Sequence, residues 1–81
     1  MHYVTEATYV SEHKIKVSFG NDEVKLVDLG PHLHGPIFEP LKEISYFKTF
    51  TVNRDIDTIT WPNHADFCPD FLYEIGEPVN E

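Results

Sequence analysis

Five side chains that can bind a metal ion or act in catalysis lie in two short segments: His32, His34, His64, Asp66 and Cys68. Two histidines one residue apart can share a metal ion, and the His, Asp and Cys of the second segment alternate, so an extended backbone points them to one side. A tetrahedral zinc site needs three or four such ligands. Neither segment has the paired-cysteine or helical-histidine spacing of zinc signatures, so solvated loop histidines and a helix-capping Asp66 explain the pattern better. We therefore predict no bound metal and no cofactor.

The same second segment offers a cysteine nucleophile. Cys68 has His64 and Asp66 within four residues, and a thiol nucleophile needs a base and an orienting group. Cys68 also lies between Phe67 and Pro69, where a cysteine is more often a small apolar residue at the edge of the core. We therefore predict no catalytic residue, and we keep a small metal- or thiol-dependent enzyme as an alternative hypothesis.

Charge and length exclude other classes of function. The chain has 81 residues and a formal net charge of −8, which repels phosphate backbones, so autonomous nucleic-acid binding is disfavoured. A chain of this size buries one thin core, which leaves little room for a deep catalytic cleft. The longest uninterrupted hydrophobic run is residues 71–73, far short of the roughly 20 residues that cross a bilayer, so we predict no membrane span. With one cysteine there is no internal disulfide, which favours a reducing compartment, the cytoplasm.

The acidity is concentrated near the C-terminus. Residues 66–81 contain five acidic residues and no Lys or Arg: Asp66, Asp70, Glu74, Glu77 and Glu81. Such a face is often merely solvated, but it also attracts a basic protein partner over a long range. Trp61, which precedes a proline at a predicted strand end, is expected to be partly exposed and to anchor a partner. The candidate partner-binding residues are Trp61, Asp66, Asp70, Glu74 and Glu77.

Hydrophobic periodicity predicts the elements that would position these residues. Strands are predicted at residues 3–10, 14–19 and 23–29, a helix at about 40–47, a second hairpin at 49–52 and 56–61, and a short helical turn from residue 69. This order indicates an α+β fold, β-β-β-α-β-β with a short C-terminal helical turn, in which a helix packs on one face of a small, mainly antiparallel sheet. Such a sheet has an open edge, where another chain can add. We predict one domain over residues 1–76 and a frayed acidic tail over residues 77–81.

Several segments together are similar to one known family. They are residues 16–19, 27–29, 35–41, 46–52, 58–66 and 69–73. Their most specific part is the Trp-Pro-Asn-x-Ala-Asp run from Trp61, followed by the Pro-Asp-x-Leu-Tyr run from Pro69. In these segments the chain resembles the bacterial family known as domain of unknown function 2442, over about residues 3–75. It departs from that family at His64, where members commonly have glycine.

The resemblance implies a compact α+β fold and a bacterial cytoplasmic protein, but no known reaction. Members of the family often lie beside another small protein family in a toxin–antitoxin-like arrangement. Our leading hypothesis is therefore a non-enzymatic protein-binding module that pairs with a small basic protein through its acidic C-terminal face or an open sheet edge, as an antitoxin would. A transcription-regulating accessory domain, which would self-associate without binding DNA on its own, is a further alternative.

Overall fold

The computed structural model, described here over residues 1–79, contains a four-stranded antiparallel sheet and a separate two-stranded sheet. The strands are β1 (Val4–Ser11), β2 (Lys14–Phe19), β3 (Val24–Asp28), β4 (Thr51–Asn53), β5 (Thr58–Thr60) and β6 (Glu77–Pro78). The α-helices are α1 (Ile44–Phe47) and α2 (Pro69–Ile75), and 3₁₀ turns span Gly30–His32 and Glu39–Lys42. The predicted α+β fold is confirmed. None of the helices in residues 1–79 combines the length and the apolar character that crossing a bilayer demands.

The large sheet has the order β1-β2-β3-β6. Ile15, Val17 and Phe19 alternate along β2 and are all buried, because every second side chain of a strand points to the same face. A register shift in β1 between Val4 and Glu6 changes which residues of that strand face the core. As a result, Val4 is buried, and Ala7 packs against the same core three residues later.

The helix predicted at about 40–47 is divided into two pieces. Glu43 has extended backbone, with φ −76° and ψ 122°, between the 3₁₀ turn and α1. In one continuous α-helix, Leu41 and Phe47 would point about 120° apart, because each residue turns the chain by about 100°. The break at Glu43 lets both side chains reach the core, where both are buried.

The acidic tail predicted from residue 77 begins with the short strand β6. Glu77 and Pro78 pair with Leu26 and Lys25 of β3, and the Val79 N–H donates to the Val24 carbonyl at 3.1 Å. The physical reason is that β3 would otherwise leave its outer backbone groups without partners in the sheet. The rest of the predicted tail, residues 80 and 81, lies outside the described residues.

The core beneath the large sheet is rich in aromatic rings. The Phe47 and Trp61 rings lie 5.7 Å apart and the Trp61 and Phe67 rings 6.0 Å apart, measured between centroids. The buried Thr58 hydroxyl donates to the Phe67 carbonyl at 2.7 Å, which ties β5 to the segment leading into α2. This segment leads directly into α2, which carries Asp70 and Glu74.

Candidate binding surface

Trp61 is a core residue, so its expected role as an exposed anchor is wrong. Its side chain is only 3% exposed, and its indole Nε1–H donates to the Phe47 carbonyl at 2.8 Å. A buried Trp needs a partner for its N–H, and α1 supplies one at its last residue. Trp61 therefore stabilises the fold, and a partner has no access to it.

The turn after Trp61 has a special backbone conformation. His64 has a φ of +70°, and its N–H donates to the Trp61 carbonyl at 2.9 Å. The Asn63 side chain accepts from the Ala65 N–H at 3.2 Å and donates to the Ile37 carbonyl at 2.9 Å. Glycine adopts this left-handed conformation freely, whereas a residue with a side chain, such as His64, is disfavoured there.

The five metal or thiol candidates are spread over the loops. His34, His64, Asp66 and Cys68 are exposed, while His32 is half-buried with its ring edge-on to Phe71 at 5.1 Å. Within residues 1–79, no group of three or more His, Cys, Asp or Glu side chains is arranged to hold a metal ion. Asp66 does not cap α2, because the N-cap is Cys68 and no side chain caps this helix. The structure therefore does not bring these five residues together.

Helix α2 presents acidic side chains to solvent and an apolar one to the core. Pro69 occupies the first turn, where its missing N–H costs no hydrogen bond, and Leu72 is fully buried. Asp70 and Glu74 are exposed, and their spacing of four residues places them on one side of the helix. Both were predicted partner-binding residues, and both lie where a partner can reach them.

Tyr73 joins α2 to two distant parts of the chain. The His2 ring stacks on the Tyr73 ring at 3.6 Å, and the Lys25 ammonium lies 3.6 Å from the Tyr73 ring centroid. The Lys25 Nζ also donates to the Tyr73 carbonyl at 2.8 Å. The Tyr73 hydroxyl donates to the Glu23 carboxylate, which also accepts from the Asn21 side chain at 2.8 Å. Tyr73 thus places the carboxylate of Glu23 beside α2.

Asp70 holds the N-terminal segment against the same helix. Its Oδ1 accepts from the His2 backbone N–H at 2.7 Å and lies 2.9 Å from the His2 ring Nδ1. The hydrogen bond from the His2 side chain, followed by the one from the His2 backbone, lowers the pKa of the Asp70 carboxyl below its ordinary value of 3.8. Asp70 is therefore an anion that already has one partner within the chain.

Glu77 lies at the far end of α2 in a different environment. It lines an open cavity of about 280 Å³ together with Lys14, Leu26, Asp28 and Ile75. The charged groups that line this cavity are therefore two carboxylates, Glu77 and Asp28, and one ammonium group, Lys14.

Together these carboxylates form what we call the α2 acidic surface, made of Glu23, Asp66, Asp70, Glu74 and Glu77. All five residues are exposed. The sequence pattern predicts Glu23 in a strand and gives no sign that it belongs to this surface. It reaches the surface through Tyr73, which lies 50 residues later in the chain, and no local pattern signals such a contact.

Comparison with known proteins gives one match. A family model described as "Protein of unknown function (DUF2442)" matches residues 4–78. No curated protein and no solved structure matches the chain significantly.

Proposed function

Since the chain belongs to this family of proteins of unknown function (DUF2442), we propose that it is a non-enzymatic protein-binding module that pairs with a small basic protein through the α2 acidic surface. Its role would be that of an antitoxin, which neutralises its partner by occupying it. We extend the proposal to the bacterial cytoplasm, because Cys68 is an exposed free thiol and such thiols persist in reducing compartments.

The observation that carries the proposal is the set of exposed carboxylates around one short helix. Lys25 lies against Tyr73 of α2, where its ammonium group is already bound to the carbonyl and the ring of that residue. The carboxylates of Asp66 and Glu74 have no such cation beside them among the described contacts of residues 1–79. A surface of one sign raises the encounter rate with a protein of the opposite sign.

A charge-neutralisation experiment with a matched control tests the proposal. The product of the neighbouring gene is co-expressed with the chain, and the complex is pulled down at low and at high salt. The test variant is D66N/E74Q/E77Q, which leaves Asp70 to hold His2. The control variant is E12Q/E43Q/D55N, which removes the same three charges at exposed positions elsewhere.

Both variants change the net charge equally, so a purely global effect weakens both alike. We expect the test variant to bind about tenfold more weakly at low salt than the control, and we expect high salt to remove that difference. Absence of a complex at low salt, or equal weakening by the two variants, would overturn the proposal.

The two alternatives make different predictions. An enzyme that uses the five dispersed side chains predicts a higher melting temperature on adding zinc. A transcription-regulating accessory domain predicts self-association that does not depend on the α2 acidic surface.

A further inference from the structure

A row of aromatic rings runs from α2 to the loop at residues 35–38. The Phe71 and Phe67 rings stack at 6.0 Å, and the Phe67 and Phe38 rings stack at 4.8 Å. Phe67 is buried in the middle, whereas Phe38 and Phe71 on either side are half-buried. Ile37, next to Phe38, is 47% exposed. We call Ile37, Phe38 and Phe71 the apolar ledge.

The exposed Ile37 is held in place by the turns around it. Gly35 has a φ of +91°, and its carbonyl accepts from the Phe38 N–H at 3.1 Å. The Asn63 side chain donates to the Ile37 carbonyl at 2.9 Å, which attaches this loop to the turn after Trp61. Because the backbone that carries Ile37 is already fixed, this loop loses little conformational entropy when a partner covers it.

Carboxylates border the ledge along the chain. Asp66 directly precedes Phe67, Asp70 directly precedes Phe71, and Glu74 lies one helical turn after Phe71. No Lys or Arg follows Arg54 in the sequence. Exposed apolar side chains with carboxylates close to them in the chain complement a segment that has apolar side chains on one face and basic ones beside them.

From this arrangement we propose that the apolar ledge receives the apolar face of a basic amphipathic segment of a protein partner, while Asp66 and Glu74 bind its basic side chains. The inference rests on the proposed function and names the feature of the partner that this surface recognises. It predicts that binding depends on the order of apolar and basic residues in the partner as well as on its charge.

Ile56 provides a matched control for Ile37. Both are exposed isoleucines, 44% and 47% exposed, but Ile56 lies in the turn between β4 and β5. The probes are a Leu/Lys peptide of about 14 residues with helical periodicity, and a scrambled peptide of the same composition. Dissociation constants are measured at low salt for the wild type, I37S, I56S and the D66N/E74Q/E77Q variant, after melting curves confirm folding.

We expect the wild type and I56S to bind the periodic peptide roughly five- to tenfold more tightly than the scrambled one, because about half of an isoleucine side chain becomes buried. I37S should lose this preference and keep the charge-driven binding.

Equal dissociation constants of I37S and I56S for the periodic peptide would overturn the role of the apolar ledge and leave the role of the acidic surface unaffected. If the D66N/E74Q/E77Q variant binds both peptides as tightly as the wild type does, the proposed function is overturned instead. Dimerisation of the wild type that I37S abolishes would also overturn this inference, since the ledge would then be covered by a second copy.

Discussion

Trp61 and Tyr73 show two ways in which this small chain uses a large ring with a polar group. Trp61 is buried, and its N–H donates to the Phe47 carbonyl 14 residues away. Tyr73 is half-buried and lies between the His2 ring and the Lys25 ammonium, with its hydroxyl on Glu23. The first ring holds elements of the core together, whereas the second holds exposed segments together at the surface.

The two environments differ in what can disturb them. The contacts of Trp61 are shielded from water, so they depend on packing and respond little to salt or pH. The contacts of Tyr73 involve charged groups near solvent, where each interaction is weak and sensitive to conditions. We therefore assign fold stability to the Trp61 region and adaptable surface chemistry to the Tyr73 region.

The largest expected effect is that of W61A. Removing a buried Trp typically costs about 3–5 kcal/mol in the free energy of unfolding, which is much of the stability of a small domain. Chemical denaturation followed by circular dichroism measures the loss. W61F retains most of the ring volume and should lose less. A W61A protein as stable as the wild type would show that Trp61 does not hold the core together.

A smaller loss is expected from Y73A. It removes the stacking on His2 and the contact with Lys25, which together are worth about 1–2 kcal/mol at a half-exposed site. Y73F keeps the ring and should cost less than about 0.5 kcal/mol, because the hydroxyl bonds a carboxylate that water can also solvate. Denaturation curves of both variants test this order. A Y73A loss as large as that of W61A would remove the contrast between the two regions.

The sequence predicted local periodicity correctly but not the contacts that Trp61 and Tyr73 make with distant residues. The alternation of Ile15, Val17 and Phe19 was sufficient to place β2, because a strand's period is local. Trp61 was misplaced because the pattern before a proline cannot show that a carbonyl in α1 lies within reach. The contacts of Tyr73 with His2 and Glu23 were missed because they join residues about 50 to 70 positions apart, and the pairing of Glu77 with β3 was missed for the same reason.

Lowering the pH should change the environment of Tyr73 but not that of Trp61, without any large change in the free energy of unfolding. The folded-state pKa of Asp70 is lowered, so the stabilisation from its bonds to His2 is present above the ordinary carboxyl pKa of 3.8 and is lost as the pH falls through the lower, folded-state value. Ring-proton NMR signals of His2 and Tyr73 should therefore shift together in acid, while those of Trp61 stay in place. D70N should abolish the coupled shift, and E74Q should retain it. Persistence of the shift in D70N would assign it to another carboxyl.

The smallest effect concerns the turn that follows Trp61. His64 has a φ of +70°, so a side chain there has to adopt a backbone conformation that glycine adopts freely. H64G should therefore leave stability unchanged or raise it by up to about 1 kcal/mol, since relief of the strained conformation opposes the added flexibility of the unfolded chain. His34 is also exposed but is not among the positive-φ residues, so H34G gains no such relief and should be neutral or slightly destabilising. Thermal melts of the two variants side by side measure the difference.

A larger fall in melting temperature for H64G than for H34G would mean that the imidazole itself stabilises the turn. The Trp61 region would then depend on an exposed side chain, as the Tyr73 region does.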